Sequence, residues 1–150
     1  MIYISLTIFT AYFLFIWIKY GLQKSFSDSY YSLPEKTRPY IFTAFIFGFT
    51  VPMIPISYEY QLMLLSIWLI MGVGATAQFR KHKYVRVIHM IVAVSGILLS
   101  QLSIIIEFHM WPIAACLFVL CTLIVWKSNR PIWWIEAAVF YSIILAFLIK

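Results

Sequence analysis

The sequence predicts an all-α integral membrane protein, a single bundle of six transmembrane helices over residues 1–150 with both termini outside (N-out and C-out). Three observations carry that prediction. Hydrophobic residues make up 64% of the chain and charged residues 11%. A soluble domain is nearer about half apolar and a quarter charged, and one of this size could not hide so much apolar surface, so lipid has to be the solvent for most of it. The apolar residues fall into six runs, 1–18, 40–56, 62–77, 87–106, 111–126 and 132–149. Runs of this length cover roughly 24–30 Å as helices, and none has the polar alternation of barrel strands. Finally, ten of the eleven basic residues occupy alternate gaps: Lys19, Lys24, Lys36 and Arg38 in the first, Arg80, Lys81, Lys83 and Arg86 in the third, Lys127 and Arg130 in the fifth. The second and fourth gaps hold only Glu59 and Glu107, and Lys150 ends the chain. Short loops rich in Lys and Arg stay in the cytoplasm, which sets the orientation.

The first run opens Met1-Ile2-Tyr3-Ile4 with no basic residue before it. It is therefore expected to remain as a helix rather than be removed as a secretory signal. The connector over residues 19–39, KYGLQKSFSDSYYSLPEKTRP, is the one gap long enough to carry structure. Ser32 and Glu35 around Pro34 have the spacing of a capping box opening a short interfacial helix. Tyr20, Phe26, Tyr30 and Tyr31 are expected to anchor that segment to headgroups. Pro52 and Pro55 should loosen the outer end of the second helix, and Gly72, Gly74, Ala75 and Ala77 form a close-packing patch on the third.

The fourth run carries a stripe. His89, Ala93, Gly96, Ser100, Ser103 and Glu107 follow at spacings of 4, 3, 4, 3 and 4, so they share one helix face. Small residues let backbones approach in lipid, and serine hydroxyls bond across the contact. The face reads first as a packing strut and second as the wall of a polar path, with Gln101 beside it. Pro112 and Pro131 open the fifth and sixth helices, where a missing N–H costs little. Cys116 and Cys121 stand about 140° apart on one helix, cannot pair with each other, and are expected to be buried apolar fillers. Trp17, Trp126, Trp133 and Trp134 near the inner ends and Trp111 near an outer end suit the headgroup layer; Trp68 falls mid-span.

The segment Tyr20-Gly21-Leu22 through Ser25-Phe26-Ser27-Asp28-Ser29-Tyr30-Tyr31, with the aromatic second helix after it, resembles small uncharacterised polytopic membrane proteins of Bacteroidota bacteria and their phages. The resemblance implies the membrane fold and no activity.

Glu136 is the one acid well inside a run. A carboxylate at that depth faces the bundle interior with a partner. His89 and Arg86 start their helix at the same membrane face, so either is an expected partner, whereas Glu107 lies at the other. His82, His89 and His109 cannot meet at one ion, and no HxxxH or HExxH spacing is present. No catalytic motif, cofactor loop or metal site is read here. The net charge of +6 is explained by topology, not by a nucleic-acid face. The candidate polar site is therefore Arg86, His89, Gly96, Ser100, Ser103, Glu107 and Glu136. The expectation is a non-enzymatic oligomeric or partner-binding unit of a bacterial inner (cytoplasmic) membrane, with the lipid bilayer, a further copy or another membrane protein as partners. A small transporter or channel using the stripe with Glu136 is the first alternative, and an intramembrane hydrolase the second.

Overall fold

A computed structural model describes residues 1–77 and 82–150. The chain forms α1 (Ile2–Tyr20), a single-turn α2 (Ser29–Ser32), α3 (Arg38–Thr50), α4 (Gln61–Ala77), α5 (Lys83–Ile106), α6 (Trp111–Lys127) and α7 (Pro131–Ile149). No strand occurs among the described residues. Three helices, α1, α5 and α7, are long and apolar enough to cross a membrane, with mean hydropathies of 1.7, 2.0 and 2.1. The helices α4 and α6 are equally apolar in character but only 17 residues long.

Each boundary has a local cause. The prolines at 52 and 55 remove N–H groups from the ladder, so the second run leaves α3 at Thr50 and continues as two 3-10 turns, Val51–Met53 and Pro55–Ser57. Pro112 and Pro131 sit in the first turns of α6 and α7. The close of α5 uses His109 in the left-handed region at φ 57°, after which the Met110 N–H turns back onto Ile104 O at 2.9 Å.

Helices α1, α3, α4, α5 and α7 touch in succession and close a ring, since α5 meets α7 and α7 meets α1. Helix α6 lies outside the ring against α7 and α5, and none of its residues is buried. The cysteines on it correct the sequence expectation: Cys116 is exposed and Cys121 half-buried. Position outside the ring, rather than residue character, decides their burial.

Phenylalanines fill the ring. Phe9 of α1, fully buried, contacts Phe45 and Phe49 of α3 and Phe140 of α7. Helices consecutive along the chain run antiparallel, and α5 and α7 run parallel, so the charges sort by end. Lys19, Lys24, Lys36, Arg38, Lys83, Arg86, Lys127 and Arg130 belong to one end, the basic end. Glu59, Glu107 and Lys150 belong to the other, where Tyr60, Phe108 and Phe147 pack together. Arg80 and Lys81 lie outside the described residues.

Candidate functional site

Two polar features lie inside this apolar bundle. The first is Glu136 at the basic end of α7. Its carboxylate Oε2 accepts the backbone N–H of Phe26 at 2.6 Å, from a connector residue 110 positions earlier. The connector reaches that depth because its residues are small and satisfy one another. Ser25 and Ser27 share a hydroxyl contact at 3.0 Å, and the Asp28 N–H donates to Ser25 Oγ at 3.2 Å. Ser29 donates to Phe26 O at 2.5 Å and meets the Tyr12 hydroxyl at 2.6 Å. Ser25, Ser27 and Ser29 are all buried. Tyr31 donates to Ala77 O at 3.1 Å, which ties the connector to the end of α4.

This arrangement corrects two expectations about the connector. Phe26 and Tyr30 do not anchor at headgroups; both are buried, Phe26 at 3% exposure, with its ring stacked on Trp133 and Phe9. Trp133 likewise leaves the aromatic belt and is fully buried, whereas Trp17, Trp111 and Trp126 are exposed. Ser32 caps no helix: it ends α2, and its hydroxyl donates to Gln23 Oε1 at 2.7 Å. Glu35 pairs instead with Arg38 at 3.2 Å on the surface. Folding the connector back into the ring buries more aromatic surface than laying it along a headgroup layer, and the serine turn removes the polar cost of doing so. The sequence signal was there in the Ser-Phe-Ser-Asp-Ser alternation, one bulky ring among groups short enough to bond their own backbone.

Beneath the Phe26–Glu136 contact is a cavity of about 30 Å³, lined by Ser27, Ile46, Ile70, Ala93, Glu136 and Phe140 among others. It sits where the connector, α3, α4, α5 and α7 meet, and has room for a water molecule beside the carboxylate. Among the described residues, the buried indole Nε1 of Trp133 has no hydrogen-bond partner.

The second feature is the stripe on α5, which faces α4. His89, Gly96, Ser100 and Ser103 are buried. Gly96 packs against α4: a side chain there would meet Ile70 at 3.2 Å and Leu69 at 3.4 Å. Ser66 of α4 donates to Gly96 O at 2.7 Å, and Thr76 Oγ1 lies 2.9 Å from His89 Nδ1. Ser100 donates to Ile97 O, and Gln101 reaches Ser100 and, on α7, Ser142. At the opposite end, Glu107 accepts the N–H groups of Leu62 at 2.9 Å and Met63 at 3.2 Å and the Ser103 hydroxyl at 2.5 Å. It therefore serves as an acceptor for the first turn of α4, whose N–H groups have no partner within their own helix.

The structure thus separates the candidate residues. Ala93 of the stripe and Glu136 line one cavity, and Glu107 belongs to the far end. Arg86 is exposed one turn before His89. No cluster of three His, Cys, Asp or Glu residues suited to a metal occurs among the described residues. No family model, curated protein or solved structure matches this chain.

Proposed function

We propose that the protein is a six-span integral membrane protein, N-out and C-out, that acts as a non-enzymatic oligomeric or partner-binding unit of a bacterial inner membrane. Its basic end faces the cytoplasm and meets the partner. One observation carries the choice of a structural unit over a transporter. Polar groups on and beside the stripe join helices: Ser66 to Gly96, Thr76 to His89, Gln101 to Ser142, and Glu107 to the start of α4. The Ser100 and Ser103 hydroxyls donate within α5 and its end. A translocation path needs groups that face water or cargo, and the cavity at Glu136 holds only about 30 Å³, with Phe26 in its lining and bonded to the carboxylate.

The segregation of Lys and Arg at one end supports the orientation. The connector supports kinship with the small Bacteroidota and phage membrane proteins that it resembles. A pairing of Glu136 with Arg86 or His89 belongs to the same reading, since α5 and α7 touch and all three residues lie toward the basic end.

Reconstitution into liposomes, with the mass of the detergent-solubilised particle measured alongside, tests the reading. A particle larger than one chain plus its detergent, in liposomes no leakier to ions than protein-free ones, is the expected result. A saturable flux abolished by Glu136→Gln would favour the transporter or channel instead.

A further inference from the structure

The side of α6 that meets α7 leaves a long cleft, and the cleft has polarity. One section, about 740 Å³, begins at Lys127 and Ser128 and runs past Leu123, Trp134 and Ala137. A second, about 450 Å³, continues to Cys116, Ile113 and Pro112. Leu120, Ala138 and Tyr141 line both, so the two sections form one groove. From Lys127 to Pro112 along α6 is roughly 22 Å at 1.5 Å per residue, longer than the ~15 Å depth of one bilayer leaflet. The floor is apolar, and the Tyr141 hydroxyl is already engaged with Thr10 Oγ1 at 3.1 Å.

The charge lies only at the mouth. Lys127 lines it, Arg130 follows in the same turn, and the Arg130 N–H donates to Ser128 Oγ at 3.0 Å, which fixes that turn. Neither Lys127 nor Arg130 is ion-paired with a described residue. Exposed Trp126 and Trp17 stand at the same end, at the level that amphipathic rings prefer.

We infer that this groove is a binding site for an anionic phospholipid of the inner leaflet. The phosphate sits between Lys127 and Arg130, and one acyl chain lies between α6 and α7 past Leu120 and Ala138. A second copy of the chain fits less well. Copies inserted in the same orientation would bring their own Lys127 and Arg130 to the same depth, and like charges at a contact repel. A lipid supplies the missing negative charge and the apolar tail together. The inference rests on the membrane reading proposed above.

The test uses the full chain in detergent, titrated with dioleoyl phosphatidylglycerol or dioleoyl phosphatidylcholine and read by native mass spectrometry. The expected result is one retained phosphatidylglycerol, preferred over phosphatidylcholine by about 10- to 30-fold, the discrimination given by two basic contacts. Lys127→Gln with Arg130→Gln should erase the preference, and Lys36→Gln, in the connector, should keep it. Ala138→Phe should weaken retention of both lipids; the charge variants, on the surface, test the site even if Ala138→Phe fails to fold. Equal retention of the two lipids by the native chain overturns the inference, as does a preference that survives loss of both charges. So does a Cys116–Cys116 crosslink between copies, formed on oxidation and blocked by Ala138→Phe, because it places a second chain in the groove. Alkaline extraction of native membranes separates the two failures. A chain released by alkali overturns the membrane reading, whereas a retained chain without lipid preference overturns only this site.

Discussion

Phe26 lies flat on Trp133, ring centroids 4.1 Å apart and planes 8° from parallel, while its backbone N–H donates to Glu136 one helical turn along α7. A single connector residue is thus held twice by one helix face, through its ring and through its backbone. This contact explains how an ionisable group is tolerated in so apolar a helix. Glu136 has a backbone N–H aimed at its carboxyl oxygen, and that bond offsets part of the cost of burying a polar group there.

The Glu136 side chain can therefore be tested by shape against acceptor capacity. Glu136→Gln keeps an oxygen for the Phe26 N–H and should lower stability only slightly. Glu136→Leu leaves that donor without a partner and should cost about 1–3 kcal/mol. Thermal unfolding in detergent separates the two; equal melting temperatures would mean that the bond contributes nothing.

The ring of Phe26 should matter more than its amide. Phe26 is packed against Phe9, Phe13 and Trp133. Removing it opens a cavity in the aromatic core, so Phe26→Ala should cost about 3–5 kcal/mol. The connector should also become a protease target, because the ring is what holds it in the bundle. Limited proteolysis with cleavage mapped near Lys24 reads this directly.

At the opposite end, Glu107 should be a cap rather than a relay. Glu107→Ala removes acceptors from the Leu62 and Met63 N–H groups and should cost about 1–2 kcal/mol, as loss of a helix cap does. Amide exchange at Leu62 and Met63 should quicken, with exchange at the middle of α4 unchanged. Uniform quickening along α4 would contradict the capping role.

The helices and the packing face of the stripe were legible in the sequence because both rest on short-range patterns. Apolar run length sets the helices, Pro52, Pro55, Pro112 and Pro131 mark their ends, and the 4-3-4 spacing puts Gly96 and Ser100 on one face. What was not legible depends on which helices are neighbours. Cys116 is as apolar as any core residue, yet α6 lies outside the ring, and nothing local to α6 says so. The same holds for Phe26: an aromatic residue in a loop suits a headgroup layer equally well until Phe9 and Trp133 are known to leave a slot for it. The capping role of Glu107 was not legible because the N–H groups it accepts stand at the start of α4, 45 positions away.

The stripe itself makes a contrast within one helix. Gly96 faces α4, where even a Cβ would meet Ile70 at 3.2 Å, and Val94 faces outward with 52% exposure. Gly96→Leu should overpack the contact with Ile70 and cost about 1–3 kcal/mol or more, whereas Val94→Leu should stay within about 0.5 kcal/mol. Equal melting temperatures for the two variants would show that α4 and α5 do not meet there in the folded protein.

Orientation is the prediction with the widest consequences, since the lipid groove and the partner surface both depend on which end is inside. It rests on charge placement in three separate gaps, which would all have to be misleading at once for the orientation to be inverted. Reporter fusions after Lys36 and after Lys83 should read as cytoplasmic, and a fusion after Tyr60 as external. The Tyr60 site is the most telling. The second run forms only 13 residues of α-helix before its 3-10 turns, the shortest helix among the six runs. If that run dipped into the bilayer and returned, Tyr60 would read as cytoplasmic while Lys36 kept its side, and Lys83 would change side as α4 became the second crossing. Agreement at all three sites establishes the second and third spans as crossings. Reversal at any two removes the orientation on which the inner-leaflet site is built.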